Sequence, residues 1–487
     1  MASFTLNSFS TTQRTLSTGE FAYITENGYL ILESTTAIIA GSTTEIYNDG
    51  SIFGGANGIS FGGANNYISN TGIIRGTTVA LDFNVVSVPT DTTIYNSGLI
   101  EAVSGFGDAI LSQAGGLYIV NSGIIRSSGD DAIQLRDNGF ANIENEIINS
   151  GTIETTMDGG GLALNLDVDN DTVRNSGTIK GGIFLSDGTN VLENHGLIQA
   201  SETLLPDEAY DVRFGDDFDT VLNTGTIVGD IDLGLGVDVF MGQDGYVYGV
   251  VSGGGGADEI HTGLGDDLLR GGIAGDFLYG DEGIDTALYD DSTGGVLVNL
   301  MIGRGRRSDA DGDRLYDIEN VVGSNHADTL YGDGGANMLD GGTNADYLSG
   351  RAGDDILIGG GGADSLYGGA DMDILIGGNG RDRLTGDGGA DLFVFERASD
   401  SGVTSSTRDI IRDFEQGEDQ IDLSEMGATV LGGSSFTNTP GEVIHYLVFS
   451  NARTVIEVDV DGDGSADMAV LIANAGLAMT EDDFLLG

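Results

Sequence analysis

Residues 323–394 read GSNHADTLY, GDGGANMLD, GGTNADYLS, GRAGDDILI, GGGGADSLY, GGADMDILI, GGNGRDRLT and GDGGADLFV, eight nine-residue units with no insertion. The sixth position holds Asp328, Asn337, Asp346, Asp355, Asp364, Asp373, Asp382 and Asp391. The eighth holds Leu330, Leu339, Leu348, Leu357, Leu366, Leu375, Leu384 and Phe393. Glycine lets the backbone turn through positive φ and bring its carbonyls toward an ion. Aspartate adds a hard anionic oxygen, which suits calcium. A large apolar residue every nine positions predicts a short strand whose side chains stack into a narrow spine. A flexible acidic linker has no reason to keep that spine.

This pattern resembles the nonapeptide calcium-binding repeats of the repeats-in-toxin (RTX) family of secreted proteins. The resemblance implies a parallel β-roll with two nonapeptides per turn. Calcium ions would lie between successive turns, held by the aspartates and by backbone carbonyls. More units lie upstream. Residues 233–241 (LGLGVDVFM) place Asp238 at position six. Residues 253–288 give GGGGADEIH, TGLGDDLLR, GGIAGDFLY and GDEGIDTAL, with Asp258, Asp267, Asp276 and Asp285. Ala274 and Ala287 depart from the pattern, so weaker ion binding is expected in the second half of that array.

From about residue 48 to 227 another repeat appears, with the core N-x-G-x-I. It begins with NDGSI at 48–52, NTGII at 70–74, NSGLI at 96–100 and NSGII at 121–125. It continues with NSGTI at 149–153 and 175–179, NHGLI at 194–198 and NTGTI at 223–227. An Asn-x-Gly turn feeding a β-branched strand is turn-and-strand chemistry. Recurrence about every 25 residues predicts a parallel β-helix, with the isoleucines stacked inside and the asparagines at one corner. The pattern is similar to the right-handed β-helices of secreted adhesins and polysaccharide-active proteins.

Residues 289–322 interrupt the nonapeptides and are similar to a strand insertion between RTX arrays. Arg304, Arg306 and Arg307 are expected to pack or pair against the acidic rolls. Asp309, Asp311 and Asp313 offer a further calcium site. Residues 395–487 resemble the C-terminal domain of serralysin-type proteases, on Phe393–Phe395, on DIIRDF at 409–414 and on DQIDL at 419–423. The acidic loop at 459–464 lacks the Glu of an EF-hand at its twelfth position. A hairpin turn is the alternative reading there. The ending DDFLLG at 482–487 resembles the uncleaved signal of type I secretion.

The chain of 487 residues has 77 acidic and 19 basic residues, for a formal charge of −58. That charge argues against nucleic acid and anionic membrane surfaces as partners. It also opposes folding unless cations neutralise it. Gly is 82 residues and hydrophobic content is 39%, which fits a β-solenoid better than a disordered chain. There is no cysteine and no apolar run of about 18 residues, so neither a disulfide framework nor a membrane span is expected. The N-terminus lacks a basic start with an apolar core. Type I export through an ABC-type channel is therefore the expected route.

The expected fold is all-β. A cap (1–45) leads into a right-handed parallel β-helix (46–232), which continues into a first β-roll (233–288). The insertion (289–322), a second roll (323–394) and a C-terminal β-sandwich-like domain (395–487) follow. His195, His261, His326 and His445 are far apart and no His-Glu-x-x-His occurs, which excludes a zinc protease. No cysteine nucleophile is present either. The expected function is an adhesive or structural module of a matrix or surface layer, outside or on the cell, folded by calcium. Its partners would be an extracellular glycan, a cell-surface receptor or copies of itself. The alternative is a uronate lyase or mannuronan C5-epimerase-like enzyme. Its residues would be Asp130, Asp131, Arg136 and Asp137, or Asp167, Asp169, Asp171 and Arg174.

Overall fold

The computed structural model describes residues 3–487 except 85–90, 114, 137–143, 157–160, 167–169, 200–210, 243, 433–434, 449–452, 474–476 and 478. Nearly everything is strand and turn. Helix is confined, among the described residues, to the 3-10 turns Leu300–Ile302, Ser308–Ala310 and Glu481–Asp483. No helix among them is long and apolar enough to cross a membrane. The chain forms two compact units, residues 1–267 with 281–283, and residues 268–280 with 284–487.

The first unit is a parallel β-solenoid with three sheets. One coil contributes a strand to each, as in Tyr67–Asn70, Ile73–Gly76 and Val79–Phe83. Successive coils pair in parallel and in register. The isoleucines of the N-x-G-x-I repeat form one interior row, Ile52, Ile74, Ile100, Ile125, Ile153, Ile179, Ile198 and Ile227. All are buried. Each contributes about 1.5–3 kcal/mol of apolar burial.

The asparagines form a second row, and it is polar. Each side-chain Nδ2 donates to Oδ1 of the next, from Asn48 through Asn70, Asn96, Asn121, Asn149, Asn175 and Asn194 to Asn223, at 2.7–2.8 Å. The same amides donate to turn carbonyls, as Asn149 does to Thr178. The glycine of each motif permits close stacking. A Cβ on Gly151 would lie 2.1 Å from the Gly123 carbonyl oxygen. This is why the motif reads Asn-x-Gly: one residue bridges coils by its amide and the other has no side chain in the way.

The second unit starts as a two-sided roll. Strands 18 residues apart pair in parallel, so two nonapeptides close one turn. Leu330, Leu348, Leu366, Leu384 and Ile411 line one side. Val321, Leu339, Leu357, Leu375, Phe393, Ile421 and Phe484 line the other. The position-eight side chains are fully buried. The insertion adds the strand Arg304–Arg306, antiparallel to Leu297–Asn299. Arg304, Arg306 and Arg307 are exposed on it. They make no ion pair, so the expected pairing with the acidic rolls is absent.

After the roll, Glu442–Val448, Arg453–Asp459 and Met468–Ile472 form an antiparallel meander. Met468–Ile472 also covers the roll strand Asp409–Ile411, and Phe484–Leu485 covers Gln420–Asp422. Both edges of the last turn are thereby paired, which removes a template for aggregation.

Candidate calcium columns

Each position-six aspartate stands just before a strand and points toward the preceding turn. Its Oδ1 accepts the backbone N–H of the equivalent residue one turn earlier. On one side the N–H groups of Asp328, Asp346, Asp364 and Asp382 donate to Asp346, Asp364, Asp382 and Asp409 at 2.7–2.8 Å. On the other, Asn337, Asp355, Asp373 and Asp391 donate to Asp355, Asp373, Asp391 and Asp419 at 2.8–3.1 Å. The aspartate thus caps the backbone before it meets any ion.

The second oxygen decides what the columns can hold. Oδ2 of Asp346, Asp355, Asp364, Asp373, Asp382 and Asp409 is buried with no hydrogen-bond partner. Such a group is costly unless a cation meets it. Burial pushes the carboxyls up, to about 8 for Asp346, about 7 for Asp355, Asp373 and Asp382, and about 6 for Asp364. Asp391 is raised to about 6 and Asp409 to about 9, burial again leading.

Glycine keeps the space beside these oxygens open. At position one, a Cβ on Gly341, Gly350, Gly359, Gly368, Gly377 or Gly386 would sit 2.1–2.7 Å from Oδ2 of its own unit's aspartate. At position four, a Cβ on Gly362 would sit 1.9 Å from the Asn344 carbonyl oxygen and 2.8 Å from Asp364 Oδ1. Carboxylate and carbonyl oxygens therefore converge where no side chain fits. Hard oxygen donors with anionic charge suit calcium, and the residues fit that ion.

The other candidates differ in detail. Asp328 has both oxygens engaged, Oδ1 by the Val296 N–H and Oδ2 by the Ser324 N–H. Asn337 turns its amide onto the Glu319 carbonyl. Asp276 and Asp285 are buried, and their N–H groups donate to Asp313 and Glu319. Ala274 holds a φ of 96°, a strained place for a residue with a Cβ. Asp267 is buried. In the first unit the N–H of Asp219 donates to Asp238, and that of Asp238 to Asp258. Oδ2 of both Asp219 and Asp238 is buried and unpartnered. A Cβ on Gly236 would be 2.3 Å from the Asp217 carbonyl oxygen and within 2.9 Å of both Asp238 oxygens.

Asp219, Asp313, Asp409 and Asp419 were not among the residues that the repeat pattern picks out. Each is followed two residues later by a buried aliphatic, Val221, Leu315, Ile411 or Ile421. That Asp-x-aliphatic step was the available signal. It is hidden because most of the unit's glycines are missing, as in FGDDFDTVL at 214–222, where only Gly215 remains. Asp313 is drawn into the ladder and accepts from the Tyr289 hydroxyl. It does not join Asp309 and Asp311, which corrects the site expected there. In the loop at 459–464, Asp459 accepts from Gly462, Asp463 and Gly464 N–H groups, as a hairpin turn does.

The two enzymatic sets fare differently. Asp137, Asp167 and Asp169 lie outside the described residues. Asp171 points into the stack, bonded to Asn145, whereas Arg174 faces outward between Glu146 and Glu193. Those two cannot serve one site. Asp130 and Asp131 gather with Asp108, and burial raises Asp108 to about 7 and Asp131 to about 6. Arg136 bonds Gln134.

Residues 252–287 and 317–348 match the family model of the RTX calcium-binding nonapeptide repeat. Residues 344–486 match that of the peptidase M10 serralysin C terminal. The chain therefore carries RTX calcium-binding repeats and a serralysin-type C-terminal region. Among solved structures it is similar to two subunits of the mannuronan C5-epimerase AlgE6 from Azotobacter vinelandii. For R2 the identity is 33%, covering 30% of this chain and 90% of that one, with a TM-score of 0.24. For R3 the identity is 26%, covering 31% and 78%, with a TM-score of 0.19. No curated protein matches.

Proposed function

We propose that the protein is a secreted, calcium-folded solenoid whose N-terminal coils act as an extracellular adhesive or structural surface in a matrix or surface layer. One observation carries the surface role. Tyr47, Tyr67, Tyr95 and Tyr118 follow one another on the outer face of the first sheet, with ring centroids 5.6, 5.8 and 6.3 Å apart. Tyr95 is 41% exposed and Tyr23, on the same face, 38%. Rigid, half-wet aromatics repeated along a flat face suit recognition of a glycan, a receptor or a second copy. Replacing Tyr67 and Tyr95 with Ser should release the protein from cells or matrix without changing its circular dichroism. Unchanged retention would remove the adhesive reading.

Export in one step through an ABC-type channel completes this function. The serralysin-type match over 344–486 supports it. Deleting residues 438–487 should trap the chain inside the cell, and normal export of that truncation would exclude the route. A second reading is a polysaccharide-active enzyme, favoured by the Asp108, Asp130 and Asp131 cluster with its raised carboxyls. Incubation with alginate or pectate, followed by absorbance of unsaturated products and by NMR for epimerisation, separates the two. Turnover that disappears in Asp108→Asn would replace the adhesive reading.

A further inference from the structure

Where the last roll strand meets the meander, four side chains form one row across the sheet. Ile410 pairs with Leu471, Leu471 with Val455, and Val455 with Tyr446. Ile410, Leu471 and Val455 floor a cavity of about 430 Å³ that is also lined by Arg381, Arg408 and Arg453. Cavities of about 300–1,000 Å³ accept small organic ligands.

The arginines are the unusual part. The chain has 19 basic residues against 77 acidic ones, yet three arginines share this pocket. Neither Arg381 nor Arg408 makes an ion pair, although carboxylates outnumber them heavily. Each keeps a buried Nε–H with no acceptor. Arg408 spends Nη2 on the Val403 carbonyl. Its other neighbour is the Tyr446 hydroxyl, which donates to Glu457. Buried donors without acceptors beside an apolar floor describe half of a recognition site.

We infer that this pocket binds a small amphipathic anion, whose charged head group meets the Arg381 and Arg408 guanidinium groups and whose aliphatic body lies on Ile410, Val455 and Leu471. Charge complementarity selects the class. A neutral apolar molecule would leave the guanidinium donors unmet, and an inorganic anion would leave the floor wet. Arginine presents a fork of donors that matches a carboxylate or sulfonate. The site is independent of the solenoid's surface role and takes only Arg381, at position five of the unit 377–385, from the repeats.

The test is calorimetry on the full-length protein in calcium, with octanoate, octanesulfonate, octanamide and inorganic phosphate as probes. Octanoate and octanesulfonate should bind saturably, and octanamide and phosphate should bind at least about tenfold more weakly, the scale of a lost charge-assisted contact. Arg408→Gln and Arg381→Gln should each weaken octanoate by about tenfold, while circular dichroism stays unchanged. Octanamide binding as well as octanoate would overturn the inference, as would phosphate doing so. So would unaltered affinity in both variants, or no saturable binding by the folded wild-type protein.

Discussion

The backbone N–H of Asp364 donates to Oδ1 of Asp382, 18 residues later, at 2.8 Å. Oδ2 of both residues is buried and unmet. One carboxylate therefore has two tasks, capping the previous turn and facing an ion. Residues 323–394 carry twelve aspartates, three arginines and no glutamate, and a single apolar row per side is thin support for that charge. Ion binding and folding should be one transition.

Circular dichroism of the full chain should thus gain β-structure cooperatively as calcium rises through about 0.1–1 mM, the range of extracellular calcium modules. Magnesium should not substitute, because it demands tighter octahedral geometry. Asp364→Ala should raise the midpoint. Asn337→Ala should raise it much less, since Asn337 already spends its amide on Glu319. Equal shifts would count against the columns, as would full β-structure in EGTA.

Glycine position separates packing from flexibility. A Cβ on Gly359 would meet Asp364 Oδ2 and the Gly377 carbonyl oxygen, both at 2.7 Å, whereas one on Gly361 meets nothing within 4 Å. Gly359→Ala should shift the calcium midpoint several-fold upward, and Gly361→Ala should leave it nearly unchanged. The contrast is read in one pair of titrations.

The sign of the pH effect follows from the raised carboxyls. Folded without ions, Asp346 titrates at about 8 against an ordinary 3.8, and Asp373 at about 7. The folded state binds protons more tightly, so ion-free stability is greatest near pH 4 and falls as pH rises through about 7–8. Calcium competes with those protons. Its midpoint should fall as pH is raised from 5 to 8, and structure in EGTA should be greater at pH 5 than at pH 8. An ion-free roll that grows more stable with pH would contradict the burial of these oxygens.

In the solenoid, Ile153 sits between Ile125 and Ile179 in a closed row. Ile153→Asp would bury a charge with no partner and should cost several kcal/mol, roughly the tail of single-substitution effects. Asn149→Ala removes an acceptor from Asn121 and a donor to Asn175, at about 1–3 kcal/mol for each buried group left unmet. Thermal unfolding of the two variants measures both.

Hydrogen exchange should divide the first unit at one place. At Asn190 the side-chain amide donates to the Ser186 and Gly188 carbonyls, holding a turn with its own nitrogen. At Asp219 and Asp238 the equivalent group is a carboxylate with an unmet oxygen. Protection should be independent of calcium for residues 48–149, which precede the first carboxylate of this column at Asp171, and dependent on it for 214–241. Uniform behaviour across both stretches would refute the division.

Much of this was legible in sequence because one chemical requirement fell on one residue of a recurring motif. The row from Ile52 to Ile227 and the asparagines beside it needed only the motif N-x-G-x-I. The third sheet was not legible. Its interior row, including Leu81, Ile110, Ile133 and Leu164, has no Asn-x-Gly turn before it and is marked only by a preceding buried alanine, Ala80, Ala109, Ala132 or Ala163. Asp219 and Asp409 escaped because the residues before them keep at most one of the repeat's glycines, Gly215 for Asp219 and none in TSSTRDIIR at 404–412, although ladder geometry needs only the aspartate and the strand behind it. The arginine pocket collects residues from 381 to 471, and only the meander brings them together.

The exchange of an amide at Asn190 for a carboxylate at Asp219 gives assembly of the first unit a direction. A coil without a neighbour must close against nothing, which makes the first coil a slow nucleus. Coils held by asparagine need no ion and can supply that nucleus anywhere calcium is scarce. Their last finished edge then offers a row of backbone donors and acceptors in register. The carboxylate coils add to that edge in order, and calcium sets only how far the propagation runs.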